Sequence, residues 1–242
     1  MHLTFHTWNG PDRPHRTPST LGADDVQVWT ATLPPPGTDS SRWMALLRSD
    51  ERRRAERFLV EGPRRQFVFG RAFLRRLIGD CLDVPPIDVV FGYEPRGKPF
   101  LDMAHRGRDL RFNLSHADQH IAVVLARGRR VGVDIESSSR LVDWSSLSPR
   151  VLSSRERCGI APLPEACRRE AFFGAWTCKE AYLKATGEGL TDHLPAIEVA
   201  LGPGPAPRLL SVAGDPETAR RWTMRAVPLP KGFLGTVAVE TS

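Results

Sequence analysis

Residues 172–190 hold the stretch that most restricts how this chain can fold. Phe172, Phe173, Trp176 and Leu183 recur at helical spacing, and Gly187 and Gly189 supply a C-terminal stop, which predicts a long helix over residues 164–186. At about 100° per residue, Glu180 falls on the same arc as Phe173, Trp176 and Leu183, the side that turns inward. A carboxylate there needs a partner. Lys184 lies one turn further on, so an ordinary Glu–Lys pair on a solvated face is one explanation. Lysine usage points away from it. Of the 34 lysine and arginine residues only four are lysines, Lys98, Lys179, Lys184 and Lys231, and two of these fall in this helix. An ammonium is a compact point charge, suited to a single phosphate oxygen or a shifting proton, whereas a guanidinium is a planar fork. Lysine at these places marks chemistry.

The rest of the chain sets the class. With 242 residues, 40% of them hydrophobic and 26% charged, the chain can bury a real core as one domain or as two halves. No segment approaches the roughly 18–20 apolar residues that span a bilayer. Residues 1–25 are rich in Pro, Thr, His and Arg and lack an apolar signal core, so the expectation is a loose leader on a cytoplasmic protein. Cys81, Cys158, Cys167 and Cys178 show no close pairing or zinc-type spacing and read as reduced, mostly buried thiols. A net charge of +6 favours an anionic partner: nucleic acid, a membrane surface, a phosphorylated small molecule or an acidic protein.

Alternation predicts a strand over residues 26–33, ended by Pro34-Pro35-Pro36-Gly37. Short helices follow over 41–47 and 49–58, then an amphipathic helix over 64–82 and a strand over 87–91. Two strands flank the polar corner after Arg111-Phe112-Asn113-Leu114-Ser115-His116, and a third covers 131–136. The second half gives a helical region at 149–160, the long helix, and strands near 196–200, 208–212, 222–227 and 233–239. Each half reads as helices laid on a small, mainly antiparallel sheet, an α+β fold. The boundary falls near residues 128–131, giving a leader over 1–25, one subdomain over 26–128 and another over 129–242.

Two further segments carry charge in patterns that ask for a reason. In Val131-Gly132-Val133-Asp134-Ile135-Glu136, alternation puts the apolar residues on one face and Asp134 and Glu136 together on the other. Adjacent carboxylates repel unless something positive lies between them; a divalent metal is the natural candidate, and a strand end that points its acids into water is the other explanation. Ser115-His116 has no acidic third member at a recognisable spacing, which argues against a serine hydrolase. Asp134, Glu136 and Glu180 together offer three carboxylates, enough to hold Mg²⁺ with positions left for substrate phosphate and water. The surrounding basic residues make phosphoryl-group chemistry the class to expect.

At this point the chain resembles a known family. Trp176-x-x-Lys179-Glu180-x-x-x-Lys184-x-x-Gly187-x-Gly189-Leu190, preceded by Gly132-x-Asp134-x-Glu136, by Phe112-Asn113-x-Ser115-His116 and by Gly97-Lys98-Pro99, is similar to the motif series of 4'-phosphopantetheinyl transferases of the surfactin-synthetase-activating (Sfp) type. The resemblance runs from about residue 26 to residue 239. It implies a pseudo-dimeric α+β fold that binds coenzyme A in the cleft between halves with Mg²⁺, or Mn²⁺ in its place, on the pyrophosphate. It further implies transfer of the phosphopantetheine arm to a serine of an acyl or peptidyl carrier protein, such as those of polyketide and nonribosomal peptide synthesis, with release of adenosine 3',5'-bisphosphate. By position, Asp134, Glu136 and Glu180 would be metal ligands and Glu180 also the base. Lys184 would neutralise the leaving phosphate, and Lys179 would sit nearby. Lys98, Ser115 and His116 would hold the nucleotide end, including its 3'-phosphate; Arg54, or Arg52 or Arg53 in its place, would meet that same phosphate, and Arg71 matches a frequent family arginine. A monomer is expected, with neither nucleic acid nor membrane as partner. Two other readings stand beside this one: a Mg²⁺-dependent nuclease or phosphodiesterase using the same acids, and a non-catalytic nucleic-acid binder suggested by the many arginines.

Overall fold

The computed structural model describes residues 1–8, 21–93, 99–102, 109–187, 193–201 and 206–241. The chain forms two compact units, residues 1–111 with 119–128, and residues 112–118 with 129–242. Residues 112–118, expected in the first half, thus belong with the second. The α+β class stands: helices and small sheets occur in both units, and all strand pairings but one are antiparallel among the described residues.

The first unit contains strands β1 (His2–Trp8) and β2 (Asp25–Thr32), helices α1 (Ser41–Met44), α2 (Ser49–Glu56) and α3 (Glu61–Leu82), and the short strands β3 (Phe91–Tyr93) and β4 (Pro99–Leu101). Strand β5 (Leu110–Ala117) starts in this unit and ends in the other, and β6 (His120–Arg127) completes the first. The strand β1 corrects the expected loose leader. Residues 2–8 pair in parallel with β2, His2 opposite Asp25, and β2 pairs antiparallel with β6. Trp8 is why the segment is held: its ring stacks on Phe73 of α3 at 4.7 Å and tilts against Phe69 at 5.3 Å. Burying an indole in this way outweighs the polar composition around it.

The strand expected at 87–91 is also corrected. Residues Pro86–Asp88 form a 3-10 turn, and β3 begins only at Phe91. The cause lies in α3, where the fully buried Arg75 pairs with Glu51 at 2.6 Å and donates from Nη1 to the carbonyls of Pro86 and Val89, each at 2.8 Å. Gathering those carbonyls around one guanidinium bends the segment.

The second unit holds β7 (Val131–Ser137), α4 (Trp144–Val151), α5 (Ser154–Ile160), α6 (Glu165–Thr186), β8 (Ile197–Val199), β9 (Leu209–Val212), α7 (Pro216–Arg220), β10 (Trp222–Ala226) and β11 (Phe233–Glu240). The helical region expected at 149–160 is two helices, broken where Ser153 caps α5 and its box partner Glu156 accepts from the Ser153 N–H. A three-stranded antiparallel sheet runs β10-β11-β7, with Asp134 opposite Thr236 and Glu136 opposite Leu234. Helix α6 lies on this sheet, its Thr177 hydroxyl 3.2 Å from that of Thr236, and buries Phe172, Phe173 and Leu183 among Ile197, Val199 and Met224. Its end comes where Gly187 takes a φ of 84°, as the sequence predicts. Cys81 and Cys178 are buried free thiols, Cys158 is exposed and Cys167 intermediate. No helix among the described residues is long and apolar enough to cross a membrane.

Candidate active site

Helix α6 and strand β7 meet at a glycine. A side-chain carbon at Gly132 would collide with the carbonyl oxygen of Ala181, so only glycine lets the helix backbone settle on the strand there. Strand alternation then puts Asp134 and Glu136 on the face that carries Gly132, the face turned to α6. Glu180 precedes the touching residue Ala181, and Lys184 follows it by three. The spacing Gly-x-Asp-x-Glu is therefore one close approach followed by two acids beside the helix.

These residues form one cluster. Lys184 Nζ lies 2.5 Å from Asp134 Oδ1 and 3.2 Å from Ser115 Oγ. Ser115 Oγ donates to Asp134 Oδ1 at 2.9 Å and accepts from the backbone N–H of Ile135 at 3.3 Å. Ser115 thus braces the acid cluster. Asn113 is structural as well, its Oδ1 accepting from the Val133 N–H at 3.0 Å. His116, on the alternate side of β5, is exposed.

Electrostatically the cluster is crowded with negative charge. Asp134 is 4% exposed and Glu180 7%, and each keeps one buried oxygen, Asp134 Oδ2 and Glu180 Oε1, without a hydrogen-bond partner. Burial, then the charge of Asp134, pushes the Glu180 carboxyl up to about 7, against the pull of Lys184. Burial also raises Asp134, although Lys184 and Ser115 oppose it, and burial followed by Asp134 raises Glu136. Glu136 is held in addition by Arg140, whose Nη1 donates to its two oxygens at 3.0 and 3.2 Å. Nothing in the sequence motifs marked Arg140. Among the described residues no three His, Cys, Asp or Glu side chains stand ready as a metal-holding group.

Lys179 is placed differently from the expectation. It is 0% exposed and donates to Glu156 Oε2 at 2.6 Å and to the carbonyls of Val151 and Leu194 at 2.7 and 3.2 Å. All three ammonium protons are spent inside the protein, so Lys179 is no phosphate ligand. Its neighbour in sequence, Glu180, points 100° away around the helix, roughly one residue's turn. Glu156 was not singled out from the sequence, although Ser153-x-x-Glu156 is a capping-box signal. In the first unit, Arg54 is exposed with its guanidinium 5.0 Å from the Phe67 ring centroid. Arg71 is nearly buried, 3.4 Å from Glu51 and set over the rings of Phe91 and Tyr93 at 5.0 and 5.5 Å. Lys98, with residues 188–192, lies outside the described residues.

Buried carboxylates with a lysine clasped at their edge are the equipment of phosphate-transfer chemistry, where charge builds on oxygens and must be offset in place. Comparison with known proteins narrows the class. Residues 130–237 match the model of the 4'-phosphopantetheinyl transferase superfamily, and residues 32–128 match that of the 4'-phosphopantetheinyl transferase N-terminal region. The chain is 37% identical over 234 residues to the 4'-phosphopantetheinyl transferase HetI of a Nostoc species, covering 97% of this chain and 94% of that one. It is 28% identical to a phosphopantetheinyl transferase of a Thraustochytrium species, over 89% of this chain and 78% of that one. A solved holo-(acyl-carrier-protein) synthase from Bacillus anthracis, in complex with CoA (3',5'-ADP), matches 46% of this chain and 96% of its own at 25% identity and a TM-score of 0.37. The chain belongs to the 4'-phosphopantetheinyl transferases.

Proposed function

We propose that Asp134, Glu180 and Lys184 carry out, in this chain, transfer of the 4'-phosphopantetheine group of coenzyme A to a serine of an acyl or peptidyl carrier protein. The serine oxygen attacks the phosphorus on the pantetheine side of the pyrophosphate. The bond from that phosphorus to the bridging oxygen breaks, and adenosine 3',5'-bisphosphate leaves. Glu180 takes the serine proton, directly or through water. A carboxylate that also touches a cation is a weak free base, but the serine proton becomes labile as the bond to phosphorus forms. Lys184, with 28% of its side chain exposed, offsets charge on the departing phosphate.

Two donors to a hard divalent cation stand bare, and the third, Glu136, would have to turn from Arg140 to complete the set. Asp134 Oδ2 and Glu180 Oε1 are buried carboxylate oxygens with no hydrogen-bond partner, and Glu136 shares the strand face with Asp134. These three side chains would hold Mg²⁺, which supplies charge neutralisation on the pyrophosphate and polarises the attacked phosphorus. Ser115 would keep Asp134 aimed, and His116 stays available to the nucleotide end.

The observation that carries this reading is the Asp134–Lys184–Ser115 cluster with Glu180 beside it. Its test is the intact mass of a carrier protein after incubation with this protein, CoA and Mg²⁺. A gain of one phosphopantetheine group is expected. CoA cleavage with an unmodified carrier would instead establish the hydrolase reading.

A further inference from the structure

Lys179 and Glu156 form a buried ion pair one residue from Glu180, and none of their polar atoms is aimed at the acid cluster. Glu156 is 5% exposed. Its Oε2 accepts from Lys179 Nζ at 2.6 Å and from the Ser153 N–H at 2.7 Å, and its Oε1 accepts from the Val199 N–H at 2.8 Å. Lys179 reaches in addition the Val151 carbonyl at the end of α4 and the Leu194 carbonyl before β8. One position of α6 is thereby fastened to α4, α5 and the approach to β8. On another side of the helix, two residues on, the Ala181 carbonyl is pressed against Gly132 of β7.

We propose that the Lys179–Glu156 pair is the positioning device of the active site: it sets the roll of α6 about its axis and so fixes where Glu180 and Lys184 meet Asp134. The pair is not explained by stability alone, because two apolar residues of similar volume would fill such a place at less desolvation cost. What an ion pair with directed hydrogen bonds adds is orientation. Side-chain tips lie about 5–6 Å from a helix axis, so a roll of about 10° moves a carboxylate by about 1 Å. A displacement of that size costs on the order of a hundredfold in rate when the group must meet a reacting atom. Gly132 limits how near α6 comes to β7, and Lys179 adds to the Thr177–Thr236 contact a charged tie, on a different side of the helix, that resists roll. Lys179 and Glu156 are positioning residues and touch no substrate.

This inference rests on the roles proposed for Glu180 and Lys184. Its test compares Lys179→Met, Glu156→Gln and the double variant with Glu180→Gln in the full-length protein, reading kcat, KM for CoA and thermal melting. Both single variants should lower kcat by about tenfold to a hundredfold with KM for CoA within about twofold of the parent. The double variant should be no slower than the worse single, since the two act as one unit. If the singles melt below the assay temperature, the double, which buries no unpaired charge, carries the comparison. Native kcat in folded Lys179→Met and Glu156→Gln overturns the proposal and leaves the pair a purely structural tie. A raised KM in the Lys179 variant alone, with native kinetics in Glu156→Gln, overturns it in favour of direct phosphate contact. Near-native turnover in Glu180→Gln would instead remove the reading of the site on which the inference stands.

Discussion

Lys184 Nζ stands 2.5 Å from Asp134 Oδ1, joining a helix to a strand 50 residues earlier in the chain, and Ser115 Oγ lies within hydrogen-bond reach of both. The ammonium occupies the one side of Asp134 that is paired; the other oxygen is left bare. The cluster is thus half neutralised from within. Its remaining negative charge is what a divalent cation would offset before an anionic phosphate ester could approach.

Removing either member of this pair should separate chemistry from folding. Asp134→Ala and Lys184→Met are each expected to lower turnover by about a hundredfold or more. Lys184→Met leaves a buried carboxylate without its charged partner and should cost about 1.5–3 kcal/mol of stability. Carrier modification followed by mass, alongside denaturant unfolding, checks both.

Glu180 provides a pH signature in the metal-free protein. Its carboxyl is raised from the ordinary 4.5 to about 7, so the folded state holds the proton more tightly than the unfolded one. The group therefore costs nothing below about pH 4.5, and its penalty grows as pH rises until it is complete above about 7. Glu180→Gln should match the parent in stability at acid pH and exceed it by roughly 2–3 kcal/mol above pH 7. Melting curves across pH in the presence of chelator decide this; a constant difference at all pH values would contradict it.

Added Mg²⁺ should raise the melting temperature at about pH 8 and lose this effect as the pH falls towards about 5.5, because a carboxyl must shed its proton to bind a cation. Asp134→Ala should abolish the rise at every pH. Chelator should stop carrier modification in the parent, and Mg²⁺ should restore it.

Gly132→Ala probes the helix–strand contact. The added carbon meets backbone atoms of Ala181 and Ala185, which cannot turn aside like a flexible side chain. A loss of about 1–3 kcal/mol is expected from overpacking, with slowed turnover in the protein that remains folded, because α6 must lift from β7. Denaturant midpoints and kcat on the folded fraction measure the two effects.

Much of this was legible in the sequence. Helix α6 (Glu165–Thr186) and strand β7 (Val131–Ser137) lie within a residue or so of where apolar periodicity and the Gly187 stop put them. Periodicity works there because both elements bury one continuous face. It failed at β1, whose pairing is parallel with β2 and is held by Trp8 on Phe73, a contact across more than 60 residues. It failed again at 87–91, where Arg75 draws two carbonyls together and overrides the local apolar pattern.

Composition and spacing by themselves determined that Glu180 shares a face with Lys184, and Asp134 with Glu136, since a helix of fixed pitch and a strand of fixed pleat leave no other arrangement. Only the tertiary structure decided which lysine meets the acids of the strand. Lys179 and Lys184 are alike in a sequence, but one ends among carbonyls and Glu156 and the other on Asp134. A side chain's partner depends on what packs against its face of the helix, and that comes from distant segments whose approach no local pattern encodes.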